Sequence, residues 1–369
     1  SLAAIPPYLF ARHILGVPPH PLDRPGRGFT HWPADYWIAL GTSGLATALT
    51  GAMLAGFALR VGCGPRRAVL VGLAYGLATP AAVYATLNNG HQLTAALLLG
   101  SFLLLWSRRG SGSIALAGLL ASGAVVVELQ VAPIAALLGA YLLVVVLRGR
   151  VAPSAPVAFA LGALGPMAVL GLYNTLAFGS PLDMGYFHED LRQFRDVHNA
   201  ANPLGLRGPD LSRLVPLLWG EYRGLLFYAP VLALAPWGWI VMARSRMFAE
   251  LGLSLAVCVA MVLVNLSYPE WTGGWSTGPR LLNSAILSVL SSAPVASAPG
   301  LLAGLPLVNA SDPLLPAANT TAIPAALRVC MSLLNSSTHW PALPSSPHEA
   351  LTTSGASGVS GLPSGSSSH

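Results

Sequence analysis

Long apolar segments alternate with short polar breaks through the first 282 residues of the chain. A helix needs about 20 predominantly apolar residues to cross the hydrocarbon core of a bilayer. Segments of this kind occupy residues 36–59, 68–106, 114–147, 156–178, 225–241 and 250–266. The second and third exceed the length of one upright helix, although residues 114–147 are short for two complete ones. The pattern predicts an all-α polytopic membrane protein with about eight transmembrane helices.

Arginines mark the ends of these apolar segments. They form four short clusters, Arg60/Arg66/Arg67, Arg108/Arg109, Arg148/Arg150 and Arg244/Arg246. Short cytoplasmic loops collect basic residues, so all four clusters are predicted to face the cytoplasm. Between successive clusters the chain must then leave the cytoplasmic side and return to it. The turns at residues 88–91 and 128–133 are therefore predicted on the outer side.

Composition agrees with a membrane location. Hydrophobic residues make up 54% of the chain, charged residues 9%, and the mean hydropathy is +0.62. A net charge of +6 gives no reason to expect nucleic-acid binding, because the arginines lie at the ends of apolar segments. All nineteen basic side chains are Arg, which favours a GC-rich bacterial genome and thus a multi-pass protein of the bacterial inner membrane. Three distant cysteines, Cys63, Cys258 and Cys330, suggest neither a disulfide framework nor a metal site.

Most of the polar residues fall on the predicted outer side. They occupy residues 18–35, the turn at 88–91, the tip at Glu128, a large extracytoplasmic loop at 179–223, and residues 268–280. Long loops are translocated largely regardless of their charge, so the arginines of the 179–223 loop do not contradict this map. Any chemistry is expected on this side.

The character of the chain changes after residue 282. Residues 1–282 are predicted to form the membrane domain, and we expect this domain to begin partway into a longer protein. Residues 283–369 are rich in Ser, Pro and Ala and end in a low-complexity run, which predicts disorder after one weak span at about 282–308.

Five segments of the membrane domain together resemble the bacterial GT-C superfamily of membrane glycosyltransferases, which includes protein O-mannosyltransferase-like and RgtA/B/C/D-like enzymes. The matching pieces are YATLNNGH (84–91), the Glu128 hairpin, YNTLAFGSPLDMGY (173–186), RGLLFYAPVLAL (223–234) and WTGGWSTGPRLL (271–282). The resemblance covers residues 1–282 and rests on the order and spacing of these pieces.

The resemblance implies an enzyme that transfers a sugar from a polyprenyl-phosphate carrier to an acceptor on the outer face of the membrane. In that superfamily a carboxylate in the first outer loop commonly serves as the base. The corresponding first span is missing here, so the base is expected upstream of Ser1. Asp23 and Asp35, in the earliest outer segment, are the fallback candidates, with an interfacial helix cap as the alternative for Asp35.

Arg280 is the first candidate for binding the carrier phosphate, because a guanidinium forms bidentate pairs with phosphate. Trp271 and Trp275 precede it among glycines, and indole rings stack on sugar faces. The alternative is a structural turn with interfacial tryptophans. Arg223, which opens the RGLLFYAPVLAL segment, is a further candidate for substrate binding.

Glu128 follows three valines, where an ionised carboxylate costs about 3 kcal/mol on insertion scales, so it is a candidate for substrate binding. His91 is another, as a hydrogen-bond partner of a sugar or as a metal ligand. The alternatives are a polar cap at the hairpin tip for Glu128 and a helix cap for His91. Asp183 and Glu189 are candidate bases or ligands of a divalent cation, and the alternative, a solvated loop of mixed charge, is favoured because no ligand spacing is diagnostic.

Two other functions remain open from the sequence. A transporter or flippase of a lipid-linked or anionic solute is one, although the chain lacks a repeat of paired broken helices and has few intramembrane charges. An inactive fragment of a glycosyltransferase is the other.

The sidedness of the map is testable by cysteine labelling. We expect single cysteines in the loop at 179–223, near Glu128 and in the segment 271–280 to react with a membrane-impermeant maleimide in intact cells, because all three are predicted outside. A cysteine beside Arg244 should stay unlabelled until the membrane is permeabilised. Labelling that divides the first three positions between the two faces would contradict the map.

Overall fold

A computed structural model describes residues 2–17, 33–107, 110–188, 197–199, 201–273 and 277–282. These residues are helical and contain no strand. The α-helices are α1 (Ile5–His13), α2 (Pro33–Ala39), α3 (Leu45–Arg60), α4 (Pro65–Leu77), α5 (Ala81–Tyr84), α6 (Gly90–Ser107), α7 (Ser111–Val127), α8 (Ala132–Leu147), α9 (Ala155–Phe178), α10 (Leu214–Trp219), α11 (Leu225–Tyr228), α12 (Ala235–Arg244) and α13 (Phe248–Ser267). Short 3₁₀ turns occupy Leu2–Ala4, Leu129–Val131, Gly185–His188, Leu211–Arg213, Pro230–Leu234 and Arg280–Leu282.

Five helices of the described chain are long and apolar enough to cross a membrane. They are Ala34–Arg60, Gly90–Ser107, Leu129–Leu147, Ala155–Phe178 and Phe248–Ser267. The apolar helix α7 is slightly shorter, and α4 and α12 have 13 and 10 residues. The prediction of a polytopic helical membrane protein is therefore confirmed at this level. The count of eight spans stays a prediction.

The first span is one continuous helix with a π-helical turn inside it. The turn, Leu40–Gly44, joins α2 to α3 without a break. Ser43, in this turn, donates from Oγ to the carbonyl oxygen of Asn89 at 2.9 Å. A bond this far along the sequence ties the start of the span to the turn before α6.

The α3 and α6 helices lie side by side in the same direction. Thr47 donates from Oγ1 to Oε1 of Gln92 at 3.0 Å near their beginnings. Near their ends, the ring of Phe57 packs edge-on against Phe102 and Trp106. Residues 43 and 89 therefore share one end of the helices, and the predicted cytoplasmic ends share the other.

The hairpin of α7 and α8 breaks where the sequence predicts it. The α7 helix ends at Val127, Glu128 is extended, and α8 begins after a single 3₁₀ turn with Pro133 in its first turn. Proline is tolerated there because its missing N–H would have no intrahelical partner. The tip of the hairpin is thus only four residues long.

Glycines allow the closest approaches between helices. A Cβ atom at Gly118 of α7 would overlap the carbonyl group of Phe159 in α9, and a Cβ atom at Gly162 would overlap that of Ala115. Small residues let helix backbones come together in membranes, where helix association relies on packing rather than on exclusion of water. The α7–α9 contact therefore depends on the absence of side chains at these two positions.

The predicted span at residues 225–241 is not one helix. It consists of α11, a 3₁₀ turn at Pro230–Leu234 and α12, with an interruption at Ala229. Pro230 and Pro236 explain the division, since proline lacks the N–H that continues an α-helix. The indole Nε1 of Trp239 donates to Ser254 Oγ at 3.0 Å and holds α12 against α13.

The described part of the large loop lies against the end of α13. The backbone N–H groups of Arg207 and Asp210 donate to the carbonyl oxygens of Ser267 and Leu266 at 2.7 and 3.1 Å. These carbonyls belong to the last turn of the helix, where no intrahelical donors follow. The loop therefore caps α13. Glu189 and the other loop residues at 189–196 and 200 lie outside the described residues, as do 18–32 and 283–369.

The helix contact at Gly162 gives a stability prediction with a matched control on the same helix. We expect Gly162→Ala to lower the free energy of unfolding in detergent by about 1–3 kcal/mol, because the new methyl group overlaps the backbone of Ala115. Gly165→Ala should leave it unchanged or raise it, since nothing lies within 4 Å of a Cβ there. Equal effects of both substitutions would show that the α7–α9 contact is not close.

Candidate functional site

The described structure brings His91 and Glu128 together. His91 Nδ1 lies 2.6 Å from Glu128 Oε1, and the two side chains are 8% and 14% exposed. His91 is in the first turn of α6, and Glu128 directly follows α7. The pair therefore joins the turn at 88–91 to the hairpin tip, and both segments are predicted to lie on the outer side.

The local sequence shapes this pair. Asn89 Oδ1 accepts a hydrogen bond from the backbone N–H of His91 at 3.3 Å and so caps α6. A Cβ atom at Gly90 would lie 2.9 Å from both Glu128 Oε1 and Val127 Cγ1. Only glycine leaves the carboxylate room to reach the imidazole in this position.

Thr94 completes the surroundings of the carboxylate. Its Oγ1 lies 3.3 Å from Glu128 Oε2 and 2.9 Å from the carbonyl oxygen of His91. A hydroxyl carries one proton, so Thr94 donates to one of these acceptors at a time. Both carboxylate oxygens of Glu128 thus have a partner: Oε1 has the imidazole and Oε2 has the hydroxyl.

Tyr84 links the His91–Glu128 pair to the segment before Arg280. Its ring packs edge-on against the imidazole of His91, with 5.3 Å between ring centroids. Its hydroxyl donates to the backbone carbonyl of Thr277 at 2.8 Å, across 193 residues of sequence. Tyr84 has no exposed surface. The segments 84–91 and 271–282, the first and last of the five quoted in the sequence analysis, are therefore in direct contact.

Gly278 is in contact with two further residues, Tyr228 and Arg223. Its φ is +63°, a value that favours glycine, and a Cβ atom there would lie 3.1 Å from the ring of Tyr228. Its carbonyl oxygen accepts a hydrogen bond from Arg223 Nη1 at 3.4 Å. Arg223 is buried, and its guanidinium carbon lies 4.4 Å from the ring centroid of Tyr222. Arg223 therefore supports the backbone of the glycine-rich segment.

Arg280 opens a 3₁₀ turn that packs against α13, two residues after Gly278. Its Nε is buried and has no hydrogen-bond partner among the described residues. Burial raises the pKa of Tyr268, and the positive charge of Arg280 acts on it in the opposite direction. Arg280 therefore lies close enough to the Tyr268 phenol to influence it. Trp271 is half-buried and packs against the main hydrophobic core.

An aromatic row that the sequence patterns did not indicate runs from the loop to the end of α13. Tyr186 stacks on His198 at 5.3 Å between centroids, and His198 lies 5.9 Å from the ring of Tyr268. The carbonyl oxygen of Tyr268 accepts a hydrogen bond from Arg213 Nη1 at 3.0 Å. No sequence spacing relates these residues, since the contacts between them join positions up to 70 residues apart.

Two candidate bases that the structure describes, Asp183 and Asp35, do not join the His91–Glu128 pair. Asp183 Oδ1 lies 2.8 Å from His188 Nε2, with 30% and 47% of the two side chains exposed, and His188 stacks on Phe178. Asp35 is exposed in the first turn of α2. Asp23, Glu189 and Trp275 lie outside the described residues. Nowhere in the described chain do three His, Cys, Asp or Glu side chains meet in a way that would hold a metal ion.

The described loop has one carboxylate with a clear electrostatic role. Hydrogen bonds from the side chain and backbone of Ser212 lower the pKa of Asp210, with a smaller contribution from Arg213. Asp210 caps the 3₁₀ turn at Leu211–Arg213 through this bond. Asp210 therefore has a structural role as a cap and does not belong with the candidate bases.

Buried polar atoms without a hydrogen-bond partner in the described chain occur in several of these segments. They are His91 Nε2, Gln92 Nε2, both polar side-chain atoms of Asn265, and Arg280 Nε. A buried polar group without a partner costs about 1–3 kcal/mol, so each one calls for an explanation. His91 and Arg280 belong to the segments that Tyr84 connects.

Comparisons with known proteins give no relative. The chain matches no family model, and no curated protein or solved structure is significantly similar to it. The site is therefore interpreted from its own geometry.

The His91–Glu128 pair and the His188–Asp183 pair form a matched comparison. Substituting both members of each pair by Ala in a double-mutant cycle should give a coupling free energy above about 1 kcal/mol for the buried pair. The exposed pair should give less than about 1 kcal/mol, because solvent screens it. Unfolding in detergent micelles measures both. Similar coupling in the two pairs would mean that Glu128 and His91 are not held together in a buried site.

Proposed function

We propose that the chain is a membrane glycosyltransferase that takes a sugar from a polyprenyl-phosphate carrier at the outer face of a bacterial inner membrane. The acceptor hydroxyl displaces the carrier phosphate from the anomeric carbon of the sugar. Membrane lipid surrounds the helices and delivers the carrier. The proposal needs no metal ion, although a divalent cation at the phosphate is compatible with it.

The observation that carries this proposal is the contact network around Tyr84. This residue touches a buried histidine–carboxylate pair on one side and the glycine-rich segment that ends in Arg280 on the other. A base and a phosphate-binding cation are the two groups that such a transfer requires. The network supports their placement near one another.

Arg280 is proposed to bind the phosphate of the carrier. Its Nε is buried without a partner in the described chain, and a guanidinium presents several N–H donors in one plane to an oxyanion. As negative charge builds on the leaving phosphate, these donors stabilise it more strongly than they stabilise the bound carrier. Trp271, which is half-buried near this segment, and Trp275 are proposed to contact the sugar.

The transporter alternative finds less support in the described helices. Coupling to an ion gradient uses ionisable groups inside the membrane that face a pathway. Glu250, in the first turn of α13, is buried and accepts a hydrogen bond from Tyr141 at 3.0 Å. This contact fixes α8 to α13 and resembles a structural bond more than a translocation pathway.

A transfer assay separates the two functions. The full-length protein in proteoliposomes, given radiolabelled polyprenyl-phosphate sugars and crude membrane acceptors, should release free polyprenyl phosphate and form a labelled product. A transporter would move label between leaflets or compartments and leave the carrier–sugar bond intact. Intact carrier with redistributed label would overturn the proposal.

Arg280→Ala should lower the transfer rate by about 100-fold or more, as loss of a donor to a developing oxyanion does. Arg280→Lys should recover only part of the rate, because an ammonium keeps the charge and loses the planar pair of donors. Arg244→Ala, at the predicted cytoplasmic end of α12, is the matched control and should transfer normally. Normal transfer by Arg280→Ala would remove this assignment.

A further inference from the structure

We infer that His91 is the general base of the proposed transfer and that Glu128 is the residue that positions it. The inference rests on the proposed function and assigns its missing base to a residue inside the chain. It replaces the expectation that the base precedes Ser1 or belongs to the loop carboxylates.

The carboxylate selects the tautomer of the imidazole. Glu128 Oε1 lies 2.6 Å from His91 Nδ1, and an ionised carboxylate only accepts hydrogen bonds, so Nδ1 carries the proton. In the neutral ring the lone pair is then on Nε2. A carboxylate that holds a histidine in this tautomer is the arrangement that lets the opposite nitrogen take a proton from a hydroxyl.

The position of Nε2 fits this role better than a structural one. A histidine kept for structure uses both ring nitrogens when it is buried, since an unpaired polar atom is costly. His91 is 7% exposed, and its Nε2 has no partner in the described part of the chain. The same ring is in edge contact with Tyr84, whose hydroxyl reaches Thr277 three residues before Arg280. The unused nitrogen thus belongs to the network that contains the proposed phosphate ligand.

The proposed step moves one proton and exchanges one bond at the anomeric carbon. The acceptor O–H bond breaks, and its proton moves to His91 Nε2. The acceptor oxygen forms a bond to the anomeric carbon while the bond from that carbon to the phosphate oxygen breaks. The electron pair of that bond leaves with polyprenyl phosphate, whose charge Arg280 is proposed to stabilise. The resulting imidazolium, with a proton on each nitrogen, is stabilised by the adjacent negative charge of Glu128 until it releases its proton to water.

The two other candidate bases that the structure describes, Asp183 and Asp35, lack this arrangement. The carboxylate of Asp183 pairs with Nε2 of His188. It is partly exposed, so water also solvates its charge. Asp35 is exposed on α2 and makes no contact with the His91–Glu128 pair among the described contacts. Among the candidate bases that the structure describes, only the imidazole of His91 combines burial, a fixed tautomer and a nitrogen without a hydrogen-bond partner.

The decisive experiment compares acceptors of different acidity. His91→Gln should lower transfer to an aliphatic hydroxyl by about 100- to 10,000-fold, the range typical of a lost general base. Its defect should shrink to within about tenfold of wild type for a phenolic acceptor, which is already partly ionised at mildly alkaline pH. A purely structural loss would lower transfer to both acceptors by the same factor.

Glu128→Gln is the positioning variant. A glutamine keeps the hydrogen-bonding shape of the side chain but removes the charge that stabilises the imidazolium. We expect the same dependence on acceptor acidity with a smaller loss than for His91→Gln. The double variant should be no slower than His91→Gln alone, because residues that act as one unit are not additive.

Ser101→Ala is the matched structural control. Ser101 Oγ donates to the carbonyl oxygen of Ala117 at 2.8 Å, so this change removes a buried α6–α7 hydrogen bond away from the pair. It should retain near wild-type transfer to both acceptors. All variants are compared at equal amounts of folded protein, as judged by gel filtration and thermal unfolding.

The outcomes distinguish a failure of the proposed function from a failure of the proposed role of His91. If the wild-type protein forms no glycosylated product, the proposed function fails. If the wild-type protein transfers sugar and His91→Gln either equals it or is impaired equally for aliphatic and phenolic acceptors, the general-base role is wrong and the proposed function stands. If the defect depends on acceptor acidity in His91→Gln and Glu128→Gln but not in Ser101→Ala, the assignment is supported.

Discussion

A carboxylate at the end of an apolar helix is stable only where other groups compensate for the lost water. Glu128 meets this requirement through the imidazole of His91 and the hydroxyl of Thr94. The His91–Glu128 contact holds the end of α7 beside the beginning of α6, and Gly90 leaves the space that the carboxylate needs. A four-residue tip connects α7 to α8, so this one polar contact fixes the beginning of α6, the end of α7 and the beginning of α8 relative to one another.

The rest of the bundle divides into a packed part and a hydrogen-bonded part. In the interior, small residues such as Gly118 and Gly162 let backbones touch, and apolar side chains supply most of the remaining contacts, beside a few buried hydrogen bonds such as that of Ser101 with Ala117. At the predicted outer ends, hydrogen bonds between distant segments dominate, as at Ser43–Asn89 and Tyr84–Thr277. This division follows from the solvent: lipid offers no hydrogen bonds, so long-range polar contacts gather where the chain leaves the helices. It also explains why most of the candidate site residues lie on loops and helix ends.

The sequence predicts those parts of the structure that depend on local patterns. Apolar length identifies the long helices, and Glu128 with Pro133 identifies the hairpin tip. Contacts between segments that are distant in sequence are not predicted in this way, because hydrophobic periodicity carries no information about which loops contact each other. The edge contact of Tyr84 with His91 and the bond to Thr277 depend on how α5, α6 and the final segment pack. The division of residues 225–241 into short helices was missed for another reason: hydropathy averages over the prolines that interrupt them.

Burial of the His91 nitrogen bears on how such a site would work. A base that is closed off in the free protein does not promote wasteful transfer to water, since a hydroxyl reaches it only when substrate displaces its neighbours. The backbone beside Arg280 is connected to this base through one side chain: the carbonyl oxygen of Thr277 accepts a hydrogen bond from Tyr84, and the ring of Tyr84 packs against the imidazole of His91. Because Thr277 lies three residues before Arg280, a short series of contacts connects the proposed phosphate ligand to the proposed base.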